Sequence, residues 1–122
     1  MPTGVLPLKR RKQFLNVAAA GQYFAARGLL LQVSPNHQDS AAVRVGYTAS
    51  RKVGNAVARN RAKRRMRALA VEIMPFNAKI GYDYVIIART ATANCSFGEL
   101  GKDLKTAMIK LDVWRNAGPI AP

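Results

Sequence analysis

Six basic side chains fall within nine consecutive residues of this chain: Arg59, Arg61, Lys63, Arg64, Arg65 and Arg67. Arginine outnumbers lysine five to one there. The planar guanidinium donates in a fork that matches two phosphate oxygens, so this composition points to phosphate recognition rather than to solubility alone. The acid-free tract around it is longer. No Asp or Glu occurs between Ser40 and Val71, where Arg44, Arg51 and Lys52 add three more bases. A solvated helix face normally mixes signs to gain i, i+4 pairs, whereas these like charges repel and weaken the isolated fold. A polyanion relieves that repulsion, and nucleic acid is the natural one. Composition does not separate RNA from DNA.

Hydrolytic chemistry has fewer candidates. Phosphodiester cleavage by protein groups calls for an acid–base pair or a carboxylate cluster around metal ions. The only histidine, His37, lies in the loop-like run Pro35-Asn36-His37-Gln38-Asp39. The six carboxylates, Asp39, Glu72, Asp83, Glu99, Asp103 and Asp112, are scattered. Glu99 follows Ser96 by three residues, the spacing of a capping box that opens a helix. Cys95 has no second Cys or His near it in sequence, and reads as a structural thiol rather than a nucleophile or zinc ligand. Gly98 and Gly101 lack the Lys-Ser/Thr of a phosphate-binding loop. Any reaction this chain serves is expected to draw its catalytic groups from a partner.

These side chains need elements to hold them. The chain has 122 residues, a net charge of +14 and 49% hydrophobic residues, which suits one packed domain over residues 1–122 and not a disordered basic tail. No run of 18 apolar residues suggests a membrane span. The start Met1-Pro2-Thr3-Gly4 does not read as a secretory signal, and a lone cysteine cannot form an internal disulfide, so the cytoplasm is the expected compartment.

Residues 8–20 read as a helix, with Lys9, Arg10, Arg11 and Lys12 at its start and Phe14, Val17 and Ala18 sharing a face. Gly21 is its stop signal, and residues 22–27 are ambiguous, with room for a short strand. Leu29–Val33 reads as a buried strand. Residues 43–50 alternate, with Val43, Val45, Tyr47 and Ala49 on one face and Arg44, Gly46, Thr48 and Ser50 on the other. Asn55 suits the N-cap of a helix over 56–74, which Pro75 is expected to end. In that helix Ala58, Ala62, Met66, Leu69 and Ile73 trace one apolar stripe. At about 100° per residue, Arg59, Lys63 and Arg67 flank the stripe on one side, Arg61 and Arg65 on the other, and Asn60 and Arg64 lie between the rows. Tyr84–Ala88 is a β-branched, apolar run suited to a central strand. Phe97, Leu100, Leu104, Met108 and Leu111 form the apolar face of a last helix beginning at Ser96. Strands alternating with helices imply an α/β sandwich.

The run Ala56-Val57-Ala58-Arg59-Asn60-Arg61-Ala62-Lys63-Arg64-Arg65-Met66-Arg67 resembles the signature helix of the bacterial ribonuclease P protein subunit. Its Arg-Asn-Arg motif maps onto Arg59, Asn60 and Arg61. The resemblance continues in Ser50-Arg51-Lys52-Val53-Gly54-Asn55-Ala56, in Lys12-Gln13-Phe14-Leu15-Asn16-Val17 and in Asp83-Tyr84-Val85-Ile86-Ile87-Ala88-Arg89. Four blocks in the family's order cover nearly the whole chain.

The resemblance implies a protein cofactor of a catalytic RNA that removes the 5′ leader of precursor tRNA, with the chemistry in the RNA. It implies an α-β-β-β-α-β-α sandwich, similar to small ribosomal-protein domains, with a left-handed β-α-β crossover. Its implied partners are the catalytic RNA subunit and precursor tRNA, bound by a monomer of this chain without a membrane. The signature helix and its junction would face the RNA subunit, assigning that role to Arg51, Lys52, Asn55, Arg59, Asn60, Arg61, Lys63, Arg64, Arg65 and Arg67. Mg2+ would be required by the holoenzyme and held mainly by RNA; Asn60 either meets a metal ion or RNA through its amide, or bonds to the neighbouring junction.

A cleft between the first helix and the sheet would hold the single-stranded leader, assigning it to Lys9, Arg10, Arg11, Lys12, Phe14, Gln32 and Arg44. Phe14 is either a stacking platform or a core residue. Two positions depart from the fullest family pattern: Ala18 stands where many members carry a second aromatic, and Gln32 where a tyrosine is common. That leaves less stacking in the cleft than the family usually provides. The alternative function on the same fold is a ribosomal or RNA-chaperone binding module.

Overall fold

The computed structural model of the chain describes residues 5–36 and 43–116. His37 and Asp39 lie outside them, as does the tail from residue 117. A five-stranded sheet carries three helices. In chain order the elements are β1 Val5–Pro7, α1 Arg11–Ala19, β2 Gln22–Ala25, β3 Leu29–Pro35, β4 Val43–Thr48, α2 Ala56–Asn77, β5 Tyr82–Ala88 and α3 Phe97–Lys110. Short 3-10 turns at Arg51–Val53 and Thr90–Ala93 precede α2 and follow β5. The strand order is β1-β4-β5-β3-β2. β4 runs parallel to β1 and β5, while β3 is antiparallel to β5 and to β2.

Alternation along the strands divides the apolar residues between two faces. Leu29, Leu31, Val33, Val43, Val45, Tyr84, Ile86 and Ala88 meet Ala62, Met66, Leu69 and Met74 of α2 and Leu100, Leu104 and Met108 of α3 in the main core. On the other face Val85 and Ile87 pack with Leu8, Phe14 and Val17, the last two from α1. The expected α/β sandwich, the long basic helix and its apolar stripe are therefore present. Ser96 and Glu99 form the expected capping box, with the Ser96 hydroxyl accepting from Glu99 N–H at 3.1 Å.

Three boundaries differ from expectation. β1 precedes the first helix and adds a strand to the expected order. α1 starts at Arg11 rather than at residue 8, because the Gln13 carboxamide accepts from the N–H groups of both Lys9 and Arg10 at 3.0 Å and so caps the helix there. α2 runs through Pro75 to Asn77. Proline removes a single hydrogen bond near a helix end, and Arg115 satisfies carbonyls there, donating to Ala78 at 2.8 Å and to Pro75 at 3.5 Å. The segment carrying Arg115 is held in turn by buried Val113 and by a bridge between Trp114 and Ala78.

Candidate nucleic-acid interface

The junction before α2 is built from small polar groups and one glycine. Ser50 accepts from Lys52 N–H at 3.3 Å, and the Asn55 side-chain oxygen accepts from Ala58 N–H at 2.9 Å, the expected N-cap. Gly54 has φ 144°, and a Cβ there would lie 3.0 Å from that of Ala58. The chain can enter the helix at this angle only with glycine. Burial of Ala62, Met66, Leu69, Ala70 and Met74 then sets the rotation of α2 about its axis. That rotation leaves Asn60, Arg61, Arg64 and Arg67 exposed, with Arg59 and Lys63 partly so. Val57, Asn60, Lys63, Arg64 and Arg67 line a shallow groove of about 500 Å³. Arg51 and Lys52 are exposed on the turn before it.

A second groove, of about 400 Å³, lies where α1 crosses the end of β4, lined by Lys9, Arg11, Phe14, Tyr47, Thr48, Ala49 and Lys63. Phe14 reaches it because residue 46 is glycine. A Cβ on Gly46 would fall 2.4 and 2.5 Å from Phe14 Cε2 and Cζ, and 3.2 Å from Leu8 Cβ. The ring rests on bare backbone, half-buried. One side of the ring packs as a core residue does, and the other faces the groove. A glycine inside a strand marks such an approach, and this was the signal in the sequence for where Phe14 sits. We predict that Gly46→Ala lowers stability by about 1–3 kcal/mol, the usual cost of overpacking. Trimming the ring in Gly46→Ala/Phe14→Leu should restore much of that loss in urea unfolding; a double variant as unstable as the sum of both singles would refute the contact.

Several expected contacts are engaged elsewhere. Arg44 was placed in the leader cleft, yet its Nε and Nη2 donate to the two carboxylate oxygens of Asp83 at 2.7 and 2.8 Å. Asn36 also donates to Asp83, at 3.0 Å. This fork pairing offsets the Arg44 charge locally. Gln32 sits on β3 opposite Tyr23 and Val85 and does not line the Phe14 groove. Arg10 and Lys12 are exposed but outside its lining, so the predicted cleft set divides. Arg65 was grouped with the RNA-facing bases, but it turns toward the segment after β5. Its Nη1 donates to the carbonyls of Thr92 and Ala93 at 3.0 and 2.7 Å, and its Nη2 donates to that of Cys95. The Asn55 oxygen is committed to the helix cap.

Asn60 was the candidate metal contact. Its amide oxygen is accompanied in the groove by Lys63, Arg64 and Arg67, a set that does not fit a magnesium ion held by the chain, since Mg2+ takes carboxylates, waters and phosphates. Among the described residues no three His, Cys, Asp or Glu side chains come together. Three of the carboxylates have structural partners instead: Asp83 as above, Asp103 accepting from Gly28 N–H at 2.8 Å, and Glu99 in its capping box. The Ser96 hydrogen bonds hold the Glu99 carboxyl below the usual glutamate range.

Tyr47 was not singled out from the sequence as a site residue. The Arg67 guanidinium carbon lies 5.4 Å from its ring centroid. Burial pushes the Tyr47 phenol up to about 12, although Arg67 acts in the opposite direction. The phenol therefore stays protonated, and able to donate, throughout the neutral range.

Comparison with known proteins agrees with this arrangement. The family model described as Ribonuclease P matches residues 5–112. A ribonuclease P protein component from Paramagnetospirillum magneticum is 43% identical over 104 residues, covering 83% of this chain and 78% of that protein. One from Caulobacter vibrioides is 41% identical over 104 residues, covering 85% and 69%. The solved structure of the Staphylococcus aureus RNase P protein shares the fold, with a TM-score of 0.74 at 23% identity over 89% of this chain and 97% of that one. With basic groups on one helix, an aromatic groove beside it and three of its carboxylates tied into the scaffold, the chain belongs to the ribonuclease P protein family, the protein cofactors of an endoribonuclease whose RNA carries out tRNA 5′ processing.

Proposed function

We propose that the exposed row of α2, with Arg51 and Lys52, docks on the catalytic RNA subunit, and that the Phe14 groove takes the single-stranded 5′ leader of precursor tRNA. One observation carries this reading: Lys63 lines both grooves. Lys63 is thus a basic residue common to the two grooves, so one protein surface can hold leader and RNA subunit side by side. Single-stranded RNA binding needs cations for the phosphates and an aromatic face for a base; the Phe14 groove supplies Lys9, Arg11, Lys63 and Phe14. Arg59, Asn60, Arg61, Arg64 and Arg67 supply donors to the subunit. Mg2+ in the holoenzyme is held by RNA, with Asn60 reaching the RNA through its amide. The chain works as a monomer within a cytoplasmic ribonucleoprotein.

The test is reconstitution. Alone, the protein should leave precursor tRNA uncut. Added to the RNA subunit at low magnesium, it should raise cleavage and favour leader-bearing precursor over mature tRNA in binding. Equal affinity for the two tRNAs would refute the leader assignment. Unchanged cleavage at low magnesium would refute the cofactor role.

A further inference from the structure

Arginines of this protein meet their partners in two ways. Arg44 commits its Nε and Nη2 donors to the Asp83 carboxylate, and Arg65 commits its donors to three carbonyls of the turn after β5. Arg115 likewise donates to Ala78. Arg67 differs. Its guanidinium carbon lies over the Tyr47 ring, 5.4 Å from the centroid, and its N–H groups take no acceptor among the described residues. A cation attracted by a ring quadrupole is held without using a hydrogen-bond donor, so the fork stays open to a ligand. No other base of α2 has an aromatic partner among the described residues.

Packing explains the placement. Alternation along β4 puts Tyr47 on one face with Val43 and Val45, and its half-buried ring packs against the main core. The ring is thereby fixed. Arg67 is exposed; it shares a groove of about 240 Å³ with Tyr47, Val5, Pro7 and Val71, and it also lines the basic groove of α2. No carboxylate lines either groove. Arg64 lines the α2 groove as well, but meets neither a ring nor a carboxylate among the described residues.

We propose that Tyr47 is a positioning residue for binding of the RNA subunit: its ring holds the Arg67 guanidinium at the edge of the α2 groove, donors free, before a phosphate arrives. An arginine side chain gives up rotamer freedom when a ligand fixes it; one already held by a ring gives up less. Tyr47 itself touches no phosphate and acts through Arg67. This role rests on docking of the α2 row on the RNA subunit, and describes how one cation of that row is made ready.

The experiment is a double-mutant cycle on the affinity of full-length protein for the RNA subunit, with its salt dependence. Arg67→Ala should lower the slope of log affinity against log salt by about one. Tyr47→Leu, which keeps apolar volume, should weaken binding about 2- to 5-fold, the range of an exposed cation–π contact. Its slope should stay at the wild-type value, because the phosphate contact is still made. In the Arg67→Ala background the same Tyr47→Leu change should cost nothing further. Tyr47→Phe keeps the ring, and the lost hydroxyl makes no hydrogen bond to the described residues, so it should bind as wild type does. A loss that persists at full size without Arg67 would show Tyr47 acting through the fold and would overturn the proposal. So would an unaltered affinity in Tyr47→Leu, or a loss in Tyr47→Phe as large as that in Tyr47→Leu. Wild-type protein supplies a second measurement that stands even if Tyr47→Leu folds poorly. Side-chain Nε–H relaxation should give Arg67 a higher order parameter than Arg64, which should fall in the flexible range below about 0.6; equal values would mean that the ring does not hold Arg67. If Arg67→Ala leaves the salt slope unchanged while Arg64→Ala lowers it, the role of Tyr47 fails and docking by the α2 row stands. If neither lowers it, both fail.

Discussion

Asp83→Ala is expected to destabilise the protein by about 2–3 kcal/mol. Removing one partner of a buried ion pair costs about 3–5 kcal/mol, because the other charge is left unpaired in a poorly solvated place. The Arg44 and Asp83 side chains keep 18% and 11% exposure, so water recovers part of that and the lower value applies. For a domain of this length the loss corresponds to a fall in Tm of about 8–12 °C. A matched double variant, Arg44→Met/Asp83→Leu, removes both charges and fills the space with apolar groups; such replacements are often neutral or better. It should regain most of the lost stability in urea or thermal unfolding. A single variant within about 0.5 kcal/mol of wild type, or a double variant no better than the single, would mean that the pair does not hold β4 to β5. The same double variant should bind RNA with an unchanged salt dependence, since Arg44 has already traded phosphate for carboxylate.

The resemblance and the apolar periodicities make the sheet, the three helices and the basic face of α2 legible in the sequence. Local signals carried these features: Asn55 and Ser96 as caps, Ala62-Met66-Leu69 as a stripe, and β-branched residues in β5. What escaped depends on partners distant in sequence. β1 is three residues long and includes Pro7, and its strand character comes only from pairing with β4 at Val43–Val45. The end of α2 was misplaced because the group that supports its last turn, Arg115, lies far along the chain. The same limit applies within the site. A basic residue in an RNA-facing run looks identical in sequence whether its guanidinium faces solvent or a carbonyl. Arg44 finds Asp83 across the β4–β5 register, where the two residues are directly paired, and Arg65 finds the turn after β5. Alternation put Tyr47 on one face with Val43 and Val45, and its place beside Arg67 depends on the packing of α2 on β4.

Arg64 and Arg65 are neighbours in sequence, and their replacement should produce opposite signatures. Arg64 is exposed and lines the α2 groove. Arg64→Ala should leave Tm nearly unchanged and lower the slope of log affinity for the RNA subunit against log salt by about one, the loss of one phosphate contact. Arg65 forks onto the carbonyls of Thr92, Ala93 and Cys95. In the same turn, Thr92 accepts from Arg89 N–H at 2.8 Å and donates to the Gly28 carbonyl. Arg65 thus ties α2 to the β5–α3 connection and, through Thr92, to the β2–β3 hairpin. Charge-assisted hydrogen bonds of this kind contribute about 1.5–3 kcal/mol, so Arg65→Ala should cost about 2–3 kcal/mol of stability and leave the salt slope where it was. Arg65→Lys should recover only part, because one ammonium cannot reproduce a planar fork onto three carbonyls. If Arg65→Ala reduced the slope as Arg64→Ala does while leaving Tm intact, Arg65 would have to leave this turn when RNA binds. With the expected signatures, Arg65 serves the RNA-facing row only by tying α2, whose rotation its buried apolar stripe sets, to the β5–α3 connection.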